Sequence, residues 1–183
     1  MQIENNVLID DLLSRTENAT IAVRKFKELN INQLQFKPSA ESWSILECIE
    51  HLNLYGDYYL VEIEKQILAQ NGKSKSTVFK SGLIGNYFAN LMQVKNGKMT
   101  KMKSPNDKNP IHSKLTITTI DRFLKQQDRL KTLLTQARNV DLTKTKTAIS
   151  LTKYIKLRLG DTFRFFIYHI ERHILQAERI QQN

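Results

Sequence analysis

The stretch GDTFRFFIYHIERHILQAERI, residues 160–180, decides the fold class of this chain. Its apolar residues recur at steps of three and four, a pattern that predicts an amphipathic helix over 161–181. His169 and His173 stand four residues apart and share a helix face with Phe166. Because the phenylalanine belongs to the apolar face, we expect both imidazoles to point into the protein.

Three further segments carry the same period and predict helices over 7–29, 43–69 and 117–138. Ser42 is the predicted N-cap of the second helix, and Asp161 is the predicted N-cap of the last. Four long amphipathic helices in one small domain predict an all-α protein, and more specifically a four-helix bundle.

A long basic connection is predicted between the second and third of these helices, over 70–115. It overlaps a stretch, 66–106, that contains seven lysines and no acidic residue. Connections of this length are usually functional or mobile. A short helix is predicted inside it, over 83–94. Another segment, 139–159, shows no helical period and only a weak apolar alternation toward its end.

Length and composition indicate one globular domain. The chain has 183 residues, and its single cysteine, Cys48, excludes an intramolecular disulfide framework and a cysteine-rich zinc site. The net charge of +10 makes nucleic acid, an anionic membrane surface and acidic small molecules candidate partners. No apolar run approaches the roughly 20 residues that span a bilayer, and the first residues are too polar for a signal peptide. We therefore expect a cytoplasmic protein with no membrane partner.

The histidines carry the strongest chemical signal. Metal sites in helical bundles are built from side chains on facing helices, so His51, on the second helix, is the candidate partner of His169 and His173. Three imidazoles would leave coordination positions open, as in catalytic rather than structural zinc sites. The alternative is that they are buried core histidines that bind no ion. His112 lies in the basic connection and is predicted to be a solvated loop histidine.

Two motifs resemble those of the DinB-like (YfiT-like) superfamily. Residues 43–52, WSILECIEHL, are similar to its W-S-x-x-E-x-x-x-H-L motif, and residues 169–176, HIERHILQ, to its H-x-x-R-H-x-x-Q motif. The resemblance implies a four-helix bundle, found as a homodimer, that binds one divalent ion through His51, His169 and His173. Three imidazoles suit zinc, nickel or iron.

Further site candidates surround the histidines. Glu47 and Gln176 are the candidate catalytic residues. Glu47 lies one helical turn before His51 and is a candidate for orienting it or receiving a proton, with a helix-surface role as the alternative. Gln176 lies about one turn after His173 and is a candidate for supporting the metal site, with a capping or packing role as the alternative. Tyr55 is a candidate for the pocket mouth. A positive rim for a small anionic substrate is expected from four lysines of the basic connection: Lys95, Lys98, Lys101 and Lys103.

The predicted function is a metal-dependent enzyme that activates a thiol or water. The resemblance implies either a thiol S-transferase using a low-molecular-weight thiol, such as bacillithiol or mycothiol, or a hydrolase. The alternatives are a non-catalytic metal-binding stress protein and a nucleic-acid-binding module. The nucleic-acid-binding module is disfavoured, because the lysine-rich segment contains no arginine and base recognition favours arginine. No G-x-S-x-G elbow, Walker loop or G-x-G-x-x-G motif competes with the histidines.

Overall fold

The fold is mostly helical, with two small sheets, in agreement with the helical class predicted from the sequence. The computed structural model describes residues 1–70, 76–95, 97, 99, 102–111, 113–150 and 152–182. In chain order the elements are β1 Gln2–Glu4, α1 Asn5–Phe26, α2 Ile31–Gln35, α3 Ile45–Leu68, β2 Val78–Lys80, α4 Leu83–Met92, a 3-10 turn Asn106–Lys108, α5 Thr118–Ala137, β3 Lys146–Ile149, β4 Thr152–Arg158 and α6 Leu159–Gln181.

Four long helices build the core. α3 packs against α5 and α6, and α1 packs against the same two helices. Their ends lie within three residues of the predicted ones. Each large apolar side chain that they bury contributes about 1.5–3 kcal/mol relative to its exposed state. The largest fully buried side chains include Phe26, Tyr59, Phe123, Phe163 and Phe166. None of the helices in the described part of the chain combines the length and apolarity that a membrane crossing requires.

Both predicted N-caps are wrong. Ser44, not Ser42, caps α3: its hydroxyl accepts the Glu47 N–H at 3.2 Å, while the Glu47 carboxylate accepts the Ser44 N–H at 2.8 Å. This reciprocal capping box satisfies two donors that the first helical turn leaves unpaired. Ser42 lies two residues earlier and hydrogen-bonds through its hydroxyl to Ser39 at 2.7 Å.

α6 begins before Asp161, at Leu159. The Asp161 side chain is completely buried in the first turn, where it accepts the Gly82 N–H at 2.8 Å and pairs with Arg164 at 3.1 Å. Arg164 also donates to Asn86 at 3.1 Å. A buried carboxylate needs such partners to offset its lost hydration. The contacts hold the start of α4 against α6.

The segment predicted to lack helix, 139–159, forms the antiparallel hairpin of β3 and β4, in which Lys146 pairs with Arg158. The ladder is irregular between Ala148 and Ile149. β1 and β2 form the second two-stranded sheet, with Gln2 opposite Lys80.

The segment predicted as a basic connection is partly structured. Its described residues include β2, the 3-10 turn and α4, and α4 lies at the predicted position of the short helix and packs against α6. Four of its lysines, Lys73, Lys75, Lys98 and Lys101, fall outside the described residues.

Candidate metal centre

Three histidines meet between α3 and α6. His51 comes from α3, and His169 and His173 come from α6 one helical turn apart. One ring nitrogen of each lies within 4.8 Å of those of the other two. His51 and His169 are buried, and His173 is partly buried. His112 lies outside the described residues.

Hydrogen bonds orient two of the three rings. His51 Nδ1 lies 2.6 Å from the Lys108 carbonyl oxygen, and His173 Nδ1 lies 2.9 Å from Gln176 Oε1. Because both oxygens only accept, each Nδ1 must carry the proton, and each Nε2 then presents a lone pair. Histidines that bind metals are typically held in this way by an acceptor on the other ring nitrogen.

The third ring completes a donor set that fits a cation. His51 Nε2 and His169 Nε2 face each other at 3.2 Å. Two nitrogens that bind one ion at about 2.0–2.1 Å subtend an angle of about 100° at this separation, close to tetrahedral. His169 Nδ1 is buried and has no hydrogen-bond partner within the described part of the chain. The residues present therefore fit a divalent ion held by three imidazoles.

The protonation states agree with this role. Burial lowers the pKa of His51 to about 4 and that of His173 to about 3. The pKa of His169 is lowered well below its usual value, first by burial and then because its protonated form would be repelled by Arg172 and by any proton on His173 or His51. All three rings are consequently neutral at pH 7, and only a neutral imidazole can act as a ligand.

A cavity of about 650 Å³ opens onto the three histidines. Trp43 and Tyr55 cover the imidazoles, with Trp43 4.6 Å from His51 and 5.6 Å from His173 and Tyr55 4.5 Å from His169, measured between ring centroids. Burial is the main reason that the pKa of Tyr55 rises to about 12, so the phenol is neutral. The remaining apolar lining includes Phe88, Met92, Met99, Met102, Phe165 and Ile180.

Of the other predicted site residues, some contact a histidine or line the cavity and others do not. Gln176 contacts His173 directly, as described above. Glu47 is buried, and its second carboxylate oxygen accepts from Lys37 at 2.6 Å, so both of its oxygens are engaged at the start of α3. Lys103 lines the cavity, whereas the exposed Lys95 does not belong to the described residues that line it.

Several features of the site leave little or no signal in the sequence. The Lys108 carbonyl is a backbone group and follows from no side-chain pattern. Asn109 accepts the Trp43 Nε1–H at 3.2 Å, so the segment around the 3-10 turn supports both a histidine and the ring that covers it. Helical spacing alone places Arg172, which lies between the two histidines of α6, away from their face, but the residue lines the cavity.

The helical fold and the three imidazoles that point inward from two packed helices place the protein among candidate metal-binding proteins. Residues 12–177 match the family model of the DinB superfamily. The chain therefore belongs to the DinB superfamily, which confirms the resemblance seen in the two motifs. Comparison with curated proteins and with solved structures finds no match for the chain.

Proposed function

We propose that the protein binds one divalent metal ion through His51, His169 and His173 and uses it in catalysis. The observation that carries this proposal is the orientation of the rings. The Nδ1 atoms of His51 and His173 are bound to acceptors, which leaves their Nε2 lone pairs for an ion, and His169 Nε2 faces that of His51 at 3.2 Å. Without a proton or a cation between them, two such lone pairs would repel each other.

The proposed reaction is transfer or hydrolysis of a small anionic substrate, of the thiol S-transferase or hydrolase type. When bound, the ion supplies Lewis acidity that lowers the pKa of a thiol or of water to near neutrality. The chain's own residues have separate tasks. The Lys108 carbonyl and Gln176 hold two imidazoles in the ligating tautomer, and Trp43 and Tyr55 shield the imidazoles from bulk water.

Turnover tests this proposal. The protein, purified without an affinity tag, is loaded with zinc, nickel or ferrous iron in turn and assayed for consumption of a low-molecular-weight thiol and for ester hydrolysis. We expect activity with at least one ion, and loss of that activity in His169→Ala. The matched control is Gln181→Ala, an exposed position at the end of the same helix. Full metal occupancy without turnover in any assay would favour the alternative, a non-catalytic metal-binding stress protein.

We further propose that α1, α3, α5 and α6 constitute the four-helix bundle expected of the family. Their mutual packing supports this arrangement. The resemblance also leads us to propose a homodimer that works in the cytoplasm. Light scattering of the purified protein tests the dimer, since a monomeric mass at all concentrations would contradict it.

A further inference from the structure

The charged groups of the cavity differ in burial. Four charged side chains line it: Arg172, Arg179 and Lys103 are cationic, and Glu41 is acidic. Arg172 is 7% exposed, whereas the other three are exposed. The cavity that holds three neutral imidazoles therefore carries an excess of positive charge, and its only buried formal charge among the described lining residues is the Arg172 guanidinium.

Arg172 is placed to meet a ligand close to the imidazoles. It lies on α6 between His169 and His173 and lines the same cavity. A guanidinium offers a planar fork of donors that matches a carboxylate in a bidentate geometry, and it stays charged when buried. A carboxylate that enters the cavity would keep a charge-assisted hydrogen bond in a low-dielectric site, where such bonds are strong.

Much of the remaining lining of the cavity is apolar and adaptable. Three of the chain's four methionines, Met92, Met99 and Met102, line the cavity together with Phe88 and Phe165. Methionine side chains are flexible and polarisable, and they line binding surfaces that accept varied apolar groups. Such a wall favours a ligand with an apolar body over a small, fully hydrated anion.

We infer that the cavity binds an amphipathic acid, with its apolar body against the methionine and phenylalanine wall and its carboxylate on Arg172. This inference rests on the proposed function in one respect, namely that the acid is the substrate presented to the metal centre. It makes Arg172, rather than the lysines of 95–103, the residue that determines specificity for the anion.

Binding of three probes to the metal-free protein tests the inference. 3-Phenylpropanoate and 3-phenylpropanamide have nearly the same shape and differ in charge, and acetate has the charge without the apolar body. Trp43, the only tryptophan, lines the cavity and reports binding through its fluorescence, with calorimetry as a check. We expect the propanoate to bind about 10- to 100-fold more tightly than the amide, the range of a hydrogen bond to a charged group. Acetate should bind more weakly than the propanoate.

Variants then show which cationic side chain binds the carboxylate. Arg172→Gln should remove the preference for the propanoate over the amide, and Arg172→Lys should retain part of it. Lys103→Gln is the matched control, because it removes an exposed cation from the same cavity and should leave most of the preference. Equal binding of propanoate and amide by the unaltered protein would overturn the inference, whether or not the variants fold. So would an unchanged preference in Arg172→Gln, or an equal loss in Lys103→Gln.

The inference and the proposed function can fail separately. Metal-free protein that prefers the propanoate but takes up no divalent ion would refute the metal centre and leave the ligand class standing. Protein that binds metal but does not distinguish the propanoate from the amide would refute the ligand class alone.

Discussion

Replacing Gln176 by Leu should weaken metal binding without unfolding the protein. The Gln176 amide oxygen accepts the His173 Nδ1–H at 2.9 Å, and Gln176 lines the cavity. Leucine has a similar volume and fits a helix equally well, but it offers no acceptor. In the variant, the His173 proton can move to Nε2, and the ring then loses the lone pair that faces the other imidazoles.

The size of the effect follows from that one hydrogen bond. A neutral hydrogen bond contributes about 0.5–1.5 kcal/mol net. Loss of the group that orients a ligating histidine typically reduces metal affinity by about 10- to 100-fold, equivalent to about 1.4–2.8 kcal/mol. We expect a value toward the lower end, because His173 is only partly buried and water can replace the amide oxygen.

The assay is a titration with zinc against a chelator of known affinity, followed by the fluorescence of Trp43, whose ring lies 5.6 Å from His173. Gln176→Glu retains an acceptor and should bind zinc as tightly as the unaltered protein. Gln181→Leu, at an exposed position of the same helix, is the control for changes to α6 itself. An unchanged zinc affinity in Gln176→Leu, or an equal loss in Gln181→Leu, would refute the assigned role of the amide.

Three further predictions concern stability and reactivity. Gly160→Ala should destabilise the protein by about 1–3 kcal/mol, because the added methyl would lie 2.6 Å from the buried Phe79 ring; an unchanged urea midpoint would contradict this. The free energy of unfolding of the metal-free protein should fall from pH 7 to about pH 5.5, by up to about 1.4 kcal/mol per pH unit for each proton. The reason is that His51 and His173 take up protons near pH 6.5 when unfolded but stay neutral when folded, where their pKa values are about 4 and 3. Equal urea midpoints at the two pH values would argue against this pH dependence. Cys48 is completely buried and burial raises the pKa of its thiol, so it should react with a thiol reagent only after unfolding, and a thiol titrated in the native protein would show otherwise.

The long helices and the histidine pair were predictable because they rest on regular spacing. The step of four between His169 and His173 places both rings on one face wherever α6 begins. His51 could be added only by supposing that its helix lies opposite, and the packing of α3 against α6 shows that it does. The apolar periodicity predicts the four long helices well because each of them buries one face over five or more turns.

The ends of the helices and the supporting groups could not be predicted in the same way. Asp161 has the residue type and position of an N-cap, but its carboxylate is taken by Gly82 and Arg164, contacts that depend on where α4 docks. Arg172 lies about 100° around the helix from His173, so helical spacing alone does not predict that it lines the same cavity. The Lys108 carbonyl has no sequence signature, because a backbone acceptor can be supplied by any residue.

The most direct test of the account is the metal content of four single variants measured by elemental analysis of protein purified without an affinity tag. The account predicts one divalent ion per chain in the unaltered protein and in His112→Ala. It predicts a large loss of the ion in each of His51→Ala, His169→Ala and His173→Ala. Full occupancy in any of these three, or loss of the ion in His112→Ala, would contradict the assignment of the metal centre.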